Sequence, residues 1–510
     1  MTAAVWSVDP RTGKQREQVA VEATPEEVDR TVRAADAARP ALADRAVRAA
    51  FLRTAADLLD AAGDFVVEAA DAETALGPGR LTGELARTTH QLRAFAEAVT
   101  EGAFLDILID RADPHAVPVP RPDLRRYKVP LGVVAVYAAS NFPLAFSVPG
   151  GDTASALAAG CPVVVKAHPD HPATSELCAS VLRRAAARHG LPEALVGLVH
   201  GFDAGVELVR HPRVAAAGFT GSVRGGRALF DAAAARPVPI PFHGELGSLN
   251  PVVVTEAAAA ERAEEIGTGL AGSMTLGVGQ FCVKPGLVLA PAGAAGDRLV
   301  RSLTEAVSDT AEGVLLDARM HEAFVTGVRE RSALPGVESP VTPGESGENA
   351  VSAGFLTVPA ARLAADDGHD LLLEECFGPV TVVVRYADEA EVSAVLARLA
   401  GNLTATVHLG AEEAKTNDGP AARLLAELTP LAGRLLVNGW PTGVAVAPAQ
   451  HHGGPYPATT SVSTSVGGTA VERWLRPVVH QNTPDALLPP ELRDGNPLGL
   501  PRRVDGRPES

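Results

Sequence analysis

One cysteine, Cys282, lies in a short segment whose composition suits a reactive thiol. The segment 279–286 reads GQFCVKPG, and its glycines and proline argue against regular helix or strand throughout. A thiol on such a turn is a candidate nucleophile, but an unperturbed cysteine (pKa about 8.5) is mostly protonated at neutral pH. Cys282 therefore needs a base or a favourable local field, to which Lys284 is expected to contribute. The alternative is that Cys282 is a small buried core residue.

A second segment, Gly221–Gly226, has the composition of a phosphate-binding turn. It reads GSVRGG, follows a predicted strand and opens a predicted helix. A helix N-terminus in that position suits the phosphates of a nucleotide. The spacing differs from GxGxxG, so an ordinary strand-to-helix turn remains the alternative.

The composition indicates a large protein that does not bind nucleic acid or span a membrane. The chain has 510 residues, 46% apolar residues and a net charge of −16, which suits two or three domains with large cores. Acidic and basic residues are interspersed, which argues against nucleic-acid binding. No apolar run approaches the ~18 residues of a membrane span. The N-terminus lacks the features of a signal peptide.

The four cysteines predict a reducing environment. Their number and spacing fit neither a disulfide framework nor a CxxC metal site. We therefore expect a cytoplasmic protein with no metal ion, in which Cys161, Cys178 and Cys376 are core residues.

Strands and helices alternate through the first half of the chain. An Ala-, Leu- and Arg-rich helical region opens at Thr24 with a capping box and extends to about Phe104. Four apolar strands then alternate with helices, which predicts a parallel sheet covered on both faces. Ligands of such sheets lie at the carboxyl ends of the strands. The polar or glycine residues at those ends are Ser140, Asn141, Lys166, Gly201 and Thr220–Ser222.

The second half predicts another α/β domain and two segments of different character. Strands are expected at 286–290, 381–386, 404–409 and 434–438, with helices between them. The Pro-rich segment 113–130 is typical of an extended arm or edge hairpin, and 463–475 is expected to hold an edge strand and a short helix. The tail after Leu488 is expected to be loosely ordered.

Five motifs, in order along the chain, make this sequence resemble the aldehyde dehydrogenase superfamily over nearly its whole length. They are Asn141-Phe142-Pro143, Phe219-Thr220-Gly221-Ser222, Glu245-Leu246-Gly247, Gly279-Gln280-Phe281-Cys282 and Glu375-Cys376-Phe377-Gly378-Pro379. The resemblance implies an α/β fold with a Rossmann-like cofactor domain, an α/β catalytic domain and a small β oligomerisation arm. We place the cofactor domain at 1–112 and 131–243, the catalytic domain at 244–449, the arm at 113–130 and 450–488, and the tail at 489–510.

The resemblance also implies a role for each motif. Cys282 is the expected nucleophile, Glu245 the general base and Asn141 an oxyanion donor. An apolar channel is expected to raise the pKa of Glu245. Lys166, Gly221, Ser222, Gly226 and Ser140 are expected to hold the adenosine and pyrophosphate of NADP or NAD, and Glu375 and Phe377 the nicotinamide ribose and ring.

The finer resemblance is to the branch that contains α-ketoglutaric semialdehyde dehydrogenases and an NADP-dependent fatty aldehyde dehydrogenase. NFPLAFSVPGGD, HGELGSLNPVVV and HHGGPYPATT carry it. It implies a small aldehyde substrate, with Arg87 gripping a distal carboxylate and Phe142 and Ala145 on the opposite wall. The alternative for Arg87 is an ion pair with Glu84. His452 is a candidate substrate contact, with a packed, hydrogen-bonded histidine as the alternative.

The cofactor preference, the assembly and two rival functions follow from the same motifs. Pro169, three residues after Lys166, carries neither a charge that repels a 2′-phosphate nor an acceptor for a 2′-hydroxyl, so NADP is expected to be accepted and preferred. The resemblance implies a homodimer or homotetramer. A CoA-acylating enzyme would not need Glu245, and a non-catalytic protein of this fold would not keep both Cys282 and Glu245.

Overall fold

The computed structural model describes residues 3–365, 368–415 and 417–509. The predicted domain limits at residues 1 and 510 lie outside that part. Thr24 caps the first helix through the predicted capping box with Glu27. The α-helices of the described residues are Pro25–Ala38, Arg45–Ala61, Gly63–Thr74, Pro78–Glu101, Gly151–Ala159, Pro172–Arg188, Phe202–Arg210, Val223–Ala234, Glu256–Thr275, Ala294–Ser308, Ala318–Ser332, Ala360–Ala364, Glu389–Leu396 and Pro420–Leu428.

The first half forms a five-stranded parallel sheet, here called the cofactor sheet. Its strands lie in the order Val196–Val199, Val163–Lys166, Val133–Tyr137, Val214–Thr220 and Phe242–Glu245. The fifth strand, absent from the sequence prediction, ends at Glu245. Every pair is parallel, so all carboxyl ends meet at one edge. Because helices cover both faces, the strand residues are almost entirely buried.

The second half forms a seven-stranded sheet, here called the catalytic sheet. Its strands lie in the order Glu338–Val341, Gly354–Pro359, Val380–Tyr386, Leu287–Pro291, Val252–Val254, Asn402–His408 and Ala432–Val437. Only the edge strand Glu338–Val341 is antiparallel to its neighbour. The segments that carry Cys282 and Glu375 lead into two of these strands, so they lie at the amino edge of the sheet. The catalytic centre is therefore built between the carboxyl edge of one sheet and the amino edge of the other.

A third sheet joins distant parts of the chain and corrects the prediction of a loose tail. Its order is Leu475–Gln481, Leu124–Pro130, Ile107–Asp110, Arg502–Val504 and Arg507–Glu509. The tail strand Arg502–Val504 pairs in parallel with Ile107–Asp110, and Arg502 is buried. The prediction of a loosely ordered tail after Leu488 is wrong, because polar composition concealed a paired strand. This third sheet, here called the arm sheet, therefore includes strands outside the two predicted arm segments, 113–130 and 450–488.

Smaller elements complete the fold. The hairpin Ala4–Asp9 and Lys14–Val21, which the sequence analysis did not predict, stands apart as a two-stranded sheet. A three-stranded sheet combines Gly313–Val314, Ala350–Ser352 and Gly344–Glu345. The segment 463–475 holds the 3-10 helix Gly468–Trp474 without the predicted edge strand, which lies further on at Leu475–Gln481. Across the described residues, no helix has both the length and the apolarity that a membrane crossing requires.

Candidate active site

A left-handed turn presents Cys282. Gly277, Val278 and Gly279 all have positive φ, between 56° and 66°, a conformation that costs a β-branched residue such as valine free energy. At Gly279 a Cβ would lie 2.3 Å from the carbonyl oxygen of Gly378, so glycine is required on two counts. The turn therefore brings the cysteine segment into direct contact with the Glu375–Pro379 segment.

Asn250 fixes the backbone on the other side of the cysteine. Its side-chain amide donates to the carbonyl oxygens of Cys282 (2.8 Å) and Lys284 (3.0 Å). Asn250 itself has φ of 54°, and its backbone N–H donates to the Asn402 side chain at 2.9 Å. Ser248 donates to the Asn250 side-chain oxygen at 2.7 Å. Ser248 and Asn250, two residues of the HGELGSLNPVVV match, thus position the cysteine loop.

Glu245 is buried and both of its carboxylate oxygens are held. Oε1 lies 3.0 Å from Nε2 of His452, and Oε2 accepts a 2.9 Å hydrogen bond from the hydroxyl of Ser465. The Ser465 backbone N–H donates to the carbonyl oxygen of His452. The segment 452–465, predicted as part of the arm, therefore wraps the catalytic centre instead.

His452 lies between the thiol and the carboxylate. Its Nε2 is 3.7 Å from Sγ of Cys282 as well as 3.0 Å from Glu245, and the residue is only 1% exposed. Its backbone N–H donates to the Thr464 hydroxyl at 2.8 Å. The sequence analysis gave His452 as a candidate substrate contact, with a packed, hydrogen-bonded histidine as the alternative; the structure shows a buried, hydrogen-bonded side chain, and a contact with substrate stays a prediction. The structure adds that its Nε2 lies within reach of both the Cys282 thiol and the Glu245 carboxylate.

The thiol of Cys282 is protonated at rest. Burial raises its pKa well above the usual value, and the Glu245 carboxylate adds to that effect, while Arg87 opposes it. The expected help from Lys284 is not found, because its ammonium group donates to the carbonyl oxygens of Cys376 (3.1 Å) and Val380 (2.6 Å). Ionisation of the thiol therefore requires an acceptor for its proton, and His452 and Glu245 are adjacent.

The pKa of Glu245 moves in the direction opposite to the sequence prediction. Burial by itself raises that pKa, as expected, but the adjacent His452 and the hydrogen bonds from His452 and Ser465 lower it by more. The net result is a pKa below the usual value. Glu245 is therefore ionised at neutral pH, and the prediction of a raised pKa is wrong because it omitted the two hydrogen-bond partners.

Asn141 lies beside the cysteine loop, where an oxyanion donor would be placed. Its side-chain amide donates to the carbonyl oxygen of Gln280 at 3.0 Å, and its own carbonyl oxygen accepts a 2.5 Å hydrogen bond from Arg80. The Arg80 guanidinium lies over the ring of Phe281, 4.5 Å from its centroid. Arg80 thus ties the asparagine segment to the residue that precedes Cys282.

Arg87 lies in the same helix as Arg80, with a guanidinium nitrogen that is buried without a partner. Its guanidinium carbon is 5.1 Å from the centroid of Phe146, and Nη2 has no hydrogen-bond acceptor among the described residues. Burial lowers the pKa of Arg87, and the nearby Glu84 carboxylate opposes that effect. In the described part of the chain the two side chains form no hydrogen bond, because Arg87 Nη2 and Glu84 Oε2 both lack partners and Glu84 Oε1 accepts the backbone N–H groups of Leu144 and Ala145. Arg87 can therefore bind an anion.

The wall opposite Arg87 differs by one residue from the prediction. Phe142 packs edge-on against Phe146 and Phe281, with centroid distances of 5.4 and 5.2 Å. Ala145 is only 2% exposed, and Phe146 instead contacts Arg87 and lies 6.1 Å from the His452 ring. Phe142 and Phe146 therefore form the apolar wall, and Ala145 packs behind it.

A cleft runs from Lys166 to Glu375 along the carboxyl edge of the cofactor sheet. Its first part, about 510 Å³, is lined by Ser140, Asn141, Lys166, Gly221 and Ser222 among other residues. Ser222 caps the helix Val223–Ala234 by accepting from the Gly225 N–H at 3.2 Å, so the positive helix end faces the cleft. Burial lowers the pKa of Lys166 to about 8. These features suit an adenosine ribose and a pyrophosphate.

The second part of the cleft, about 790 Å³, shares Ser222 with the first and is lined by Glu375 and Phe377. Burial raises the pKa of Glu375 to about 7. A Cβ at Gly247 would lie 2.7 Å from the Glu375 carboxylate, so this glycine lets the acid approach the backbone. Together the two parts accommodate a dinucleotide.

Gly226 does not line the described cleft. It is buried beneath it, where a Cβ would lie 2.1 Å from a methyl group of Leu246 and 2.9 Å from the Phe219 ring. A glycine here therefore lets the helix pack against the sheet, and a contact of its backbone with a cofactor stays a prediction.

Sequence reasoning missed Ser465, Phe146 and Arg80. Ser465 lies in a run of serine, threonine and glycine that carries no spacing signal. Phe146 and Arg80 belong to apolar or helical patterns in which a packing role was the simplest interpretation. The one available signal for Arg80 was its seven-residue spacing from Arg87, because that spacing places both side chains on one face of the helix.

A buried cysteine beside an ionised glutamate and an asparagine amide, at the end of a dinucleotide cleft, defines an NAD(P)-dependent dehydrogenase of aldehydes. Residues 2–456 match the model of the aldehyde dehydrogenase family, and the chain belongs to that family. The family match and the cleft together establish an α/β fold and NAD(P) as the cofactor.

Three similar proteins refine this assignment. The chain is 49% identical over 470 residues to α-ketoglutaric semialdehyde dehydrogenase 2 of Azospirillum brasilense, covering 91% of this chain and 88% of that protein. It is 44% identical over 461 residues to α-ketoglutaric semialdehyde dehydrogenase of Acinetobacter baylyi, covering 90% and 86%. A crystal structure described as an E. coli NADP-dependent enzyme superposes with a TM-score of 0.78 at 25% identity, covering 94% of each chain.

Proposed function

We propose that this aldehyde dehydrogenase oxidises α-ketoglutaric semialdehyde to the dicarboxylic acid. The observation that carries the proposal is the unpartnered guanidinium nitrogen of Arg87 beside the catalytic centre. The substrate bears a carboxylate at the end opposite its aldehyde, and an arginine can grip that group through two parallel hydrogen bonds. The names of the two relatives similar over most of their length support the same substrate.

The first chemical step is proposed to be proton transfer from the Cys282 thiol. Because the thiol is protonated at rest, its proton must pass to His452 or, through it, to Glu245. The resulting thiolate attacks the aldehyde carbon and forms a thiohemiacetal. The backbone N–H of Cys282 and the side chain of Asn141 stabilise the oxyanion.

Oxidation and hydrolysis follow at the same carbon. When bound, the nicotinamide ring accepts hydride, which leaves a thioester on Cys282. Once the thiol proton has been released to solvent, Glu245, held ionised by His452 and Ser465, removes a proton from the water that hydrolyses the thioester. The thiol is regenerated when the acid leaves.

A second candidate is an uncharged, long-chain aldehyde. The observation in its favour is the apolar wall formed by Phe142, Phe146 and Phe281. An alkyl chain would pack against these rings but would leave the Arg87 nitrogen without a partner, which costs free energy. The acidic substrate can pack its carbon chain against these rings and also pair its carboxylate with Arg87.

An NAD(P)H absorbance assay tests the proposal. The rate with α-ketoglutaric semialdehyde should exceed that with hexanal in kcat/KM, and added CoA should not change the rate or the product. Higher kcat/KM with hexanal would favour the second candidate, whereas CoA dependence would indicate thioester transfer. Cys282→Ser should abolish turnover in either case but leave NADP binding near normal.

We also propose that NADP is preferred and that the chain forms a homodimer or homotetramer. Lys166 with Pro169 supports the cofactor preference, because Lys166 is a cation that can meet a 2′-phosphate and Pro169 offers no acceptor for a 2′-hydroxyl. Two edge strands support assembly, since Val479 on one and Val437 on the other are about half exposed. Light scattering of the purified protein would measure its mass directly.

The proposed compartment is the cytoplasm. Its support is that all four cysteines are free thiols, which is typical of reducing compartments.

A further inference from the structure

We propose that Cys282, His452 and Glu245 form a binding site for one zinc ion, which inhibits the enzyme reversibly by occupying its nucleophile. The ligand atoms of these three residues all lie within 4.8 Å of one another. The inhibition rests on the catalytic role proposed above for Cys282, whereas the binding itself does not. The site departs from the expectation of no metal, which considered only sequence spacing.

Two of the three distances between the ligand atoms are close to those of a tetrahedral zinc site. Zinc–ligand distances of about 2.3 Å for sulfur and about 2.0 Å for nitrogen and oxygen require S···N near ~3.6 Å and N···O near ~3.3 Å. The observed separations are 3.7 Å from Sγ of Cys282 to Nε2 of His452, and 3.0 Å from that nitrogen to Oε1 of Glu245. These two pairs need changes of a few tenths of an ångström, whereas Sγ of Cys282 and the Glu245 oxygen, which lie within 4.8 Å of each other, would move closer together on the ion.

The charges around the site also favour a dication. The Glu245 carboxylate opposes ionisation of the buried thiol because two negative charges would lie side by side, and a zinc ion between them turns that repulsion into attraction. The Glu375 carboxylate also raises the pKa of the Cys282 thiol, whereas the Arg87 guanidinium lowers it. On binding, the Cys–S–H bond is replaced by a Cys–S–Zn bond and its proton is released to solvent, while the Nε2 hydrogen that His452 shares with Glu245 is replaced by one on Nδ1 so that Nε2 can coordinate the ion.

The surroundings hold the ligands in place. The Ser465 hydroxyl donates to Oε2 of Glu245, and Oε1 would exchange its hydrogen bond with His452 for the ion. The Thr464 hydroxyl anchors the His452 backbone. Such partners orient ligands and contribute to metal affinity. A thiolate, an imidazole and a carboxylate together suit zinc better than magnesium or calcium, which prefer oxygen ligands.

Equilibrium dialysis of the full-length protein against ZnCl₂, without aldehyde or cofactor, tests the site. One zinc per chain should bind, and Cys282→Ser or His452→Gln should each weaken binding at least tenfold. Matched controls are Cys376→Ser and His451→Gln, which should bind as the unmodified protein does. Loss of binding in the Cys376→Ser control, or full binding in Cys282→Ser, would overturn the assignment.

Spectroscopy and alkylation provide readouts that do not depend on turnover. Co²⁺ in place of zinc should give a thiolate-to-cobalt charge-transfer band that is absent in Cys282→Ser. Zinc should slow alkylation of Cys282 by iodoacetamide. If zinc binds but leaves turnover unchanged, the proposed nucleophile fails while the metal site stands.

Discussion

At the scale of single residues, the surroundings of Cys282 and Glu245 shift the pKa values of the two side chains in opposite directions. Cys282 is part-buried and Glu245 is buried, yet the pKa of Cys282 is raised and that of Glu245 is lowered. The difference arises because His452 and Ser465 hydrogen-bond the charged form of the carboxylate, whereas the thiolate faces that carboxylate. The resting state is therefore a thiol beside a carboxylate.

Replacing Glu245 by glutamine should stop the reaction after oxidation. The amide cannot remove a proton from water, so the thioester on Cys282 should accumulate after one turnover. Rapid-mixing measurements of NADPH should show a burst of about one equivalent per active site followed by a slow steady state. Equal loss of the burst and the steady-state rate would place Glu245 in the first step, as the acceptor of the thiol proton.

The preference for NADP should depend on pH through Lys166. Burial lowers its pKa to about 8, so the ammonium group is charged at pH 7 and mostly neutral at pH 9. If Lys166 meets the 2′-phosphate, the ratio of kcat/KM for NADP to that for NAD should fall by up to about tenfold over this interval. In Lys166→Met the ratio should be low and flat. A steep fall that persists in this variant would assign the titration to another group.

The residues of the centre were predictable to the extent that each lies in a motif. Cys282, Glu245 and Asn141 meet as expected. Ser465 could not be foreseen, because its contact with Glu245 joins segments 220 residues apart and depends on how a loop without periodicity folds back. The direction of the Glu245 pKa was missed for the same reason.

At the scale of elements, the helix Pro78–Glu101 delivers two arginines to the site from one face. Arg80 and Arg87 are two turns apart, and Glu84 lies between them with both oxygens buried and Oε1 bound to backbone N–H groups. Arg80 contacts the asparagine and cysteine segments, whereas Arg87 contacts Phe146. The helix therefore connects substrate binding to the position of the nucleophile.

Substituting the two arginines should affect different kinetic constants. Arg87→Met should raise KM for α-ketoglutaric semialdehyde tenfold or more and leave kinetics with hexanal nearly unchanged, because only the acidic substrate needs the cation. Arg93→Met is the matched control, since Arg93 pairs with Asp57 and Asp60 on the exposed side of the helix. Equal impairment with both aldehydes would remove Arg87 from carboxylate recognition.

Arg80→Met should instead lower kcat with both aldehydes. The variant loses the hydrogen bond to the Asn141 carbonyl oxygen and the contact with Phe281, so the oxyanion donor and the nucleophile are less well aligned. Steady-state kinetics should show a kcat loss of at least tenfold with little change in KM, and Arg80→Lys should recover part of it. A change confined to KM for the acidic aldehyde would make Arg80 a substrate ligand.

Elements were more predictable than their connections. The strands around Val133–Tyr137 and Val163–Lys166 agree with the sequence prediction because buried parallel strands are continuous apolar runs. The strand Phe242–Glu245 was missed, since it is short and contains His243 and Gly244. The tail strand Arg502–Val504 was missed because arginine-rich sequence is typical of exposed segments.

At the scale of the whole molecule, the C-terminal tail closes the arm sheet around a buried arginine. Arg502 donates to the carbonyl oxygens of Arg493 (2.5 Å) and Asp494 (2.7 Å) and pairs with Glu509. Two strands that are far apart in the sequence, near residues 107 and 502, thereby pair in one sheet.

Arg502→Ala should destabilise the protein, whereas Arg503→Ala should not. Removing Arg502 leaves two carbonyl oxygens and Glu509 without their donor in a part-buried place, which costs about 1–3 kcal/mol. Arg503 is exposed, and its loss should stay within about 0.5 kcal/mol. Thermal or denaturant unfolding, followed by circular dichroism, measures the difference. Identical unfolding of the two variants would mean that the tail contributes no stability.

The opposed edges of the two sheets have a consequence for refolding. Glu245 is continuous with one sheet and Cys282 with the loop that feeds the other, so neither sheet carries a working fragment of the catalytic centre. A chain with both sheets formed but not yet docked would have native circular dichroism and no turnover. The rate at which activity returns during refolding therefore measures the docking of the two sheets. Circular dichroism, which reports secondary structure, does not detect that docking.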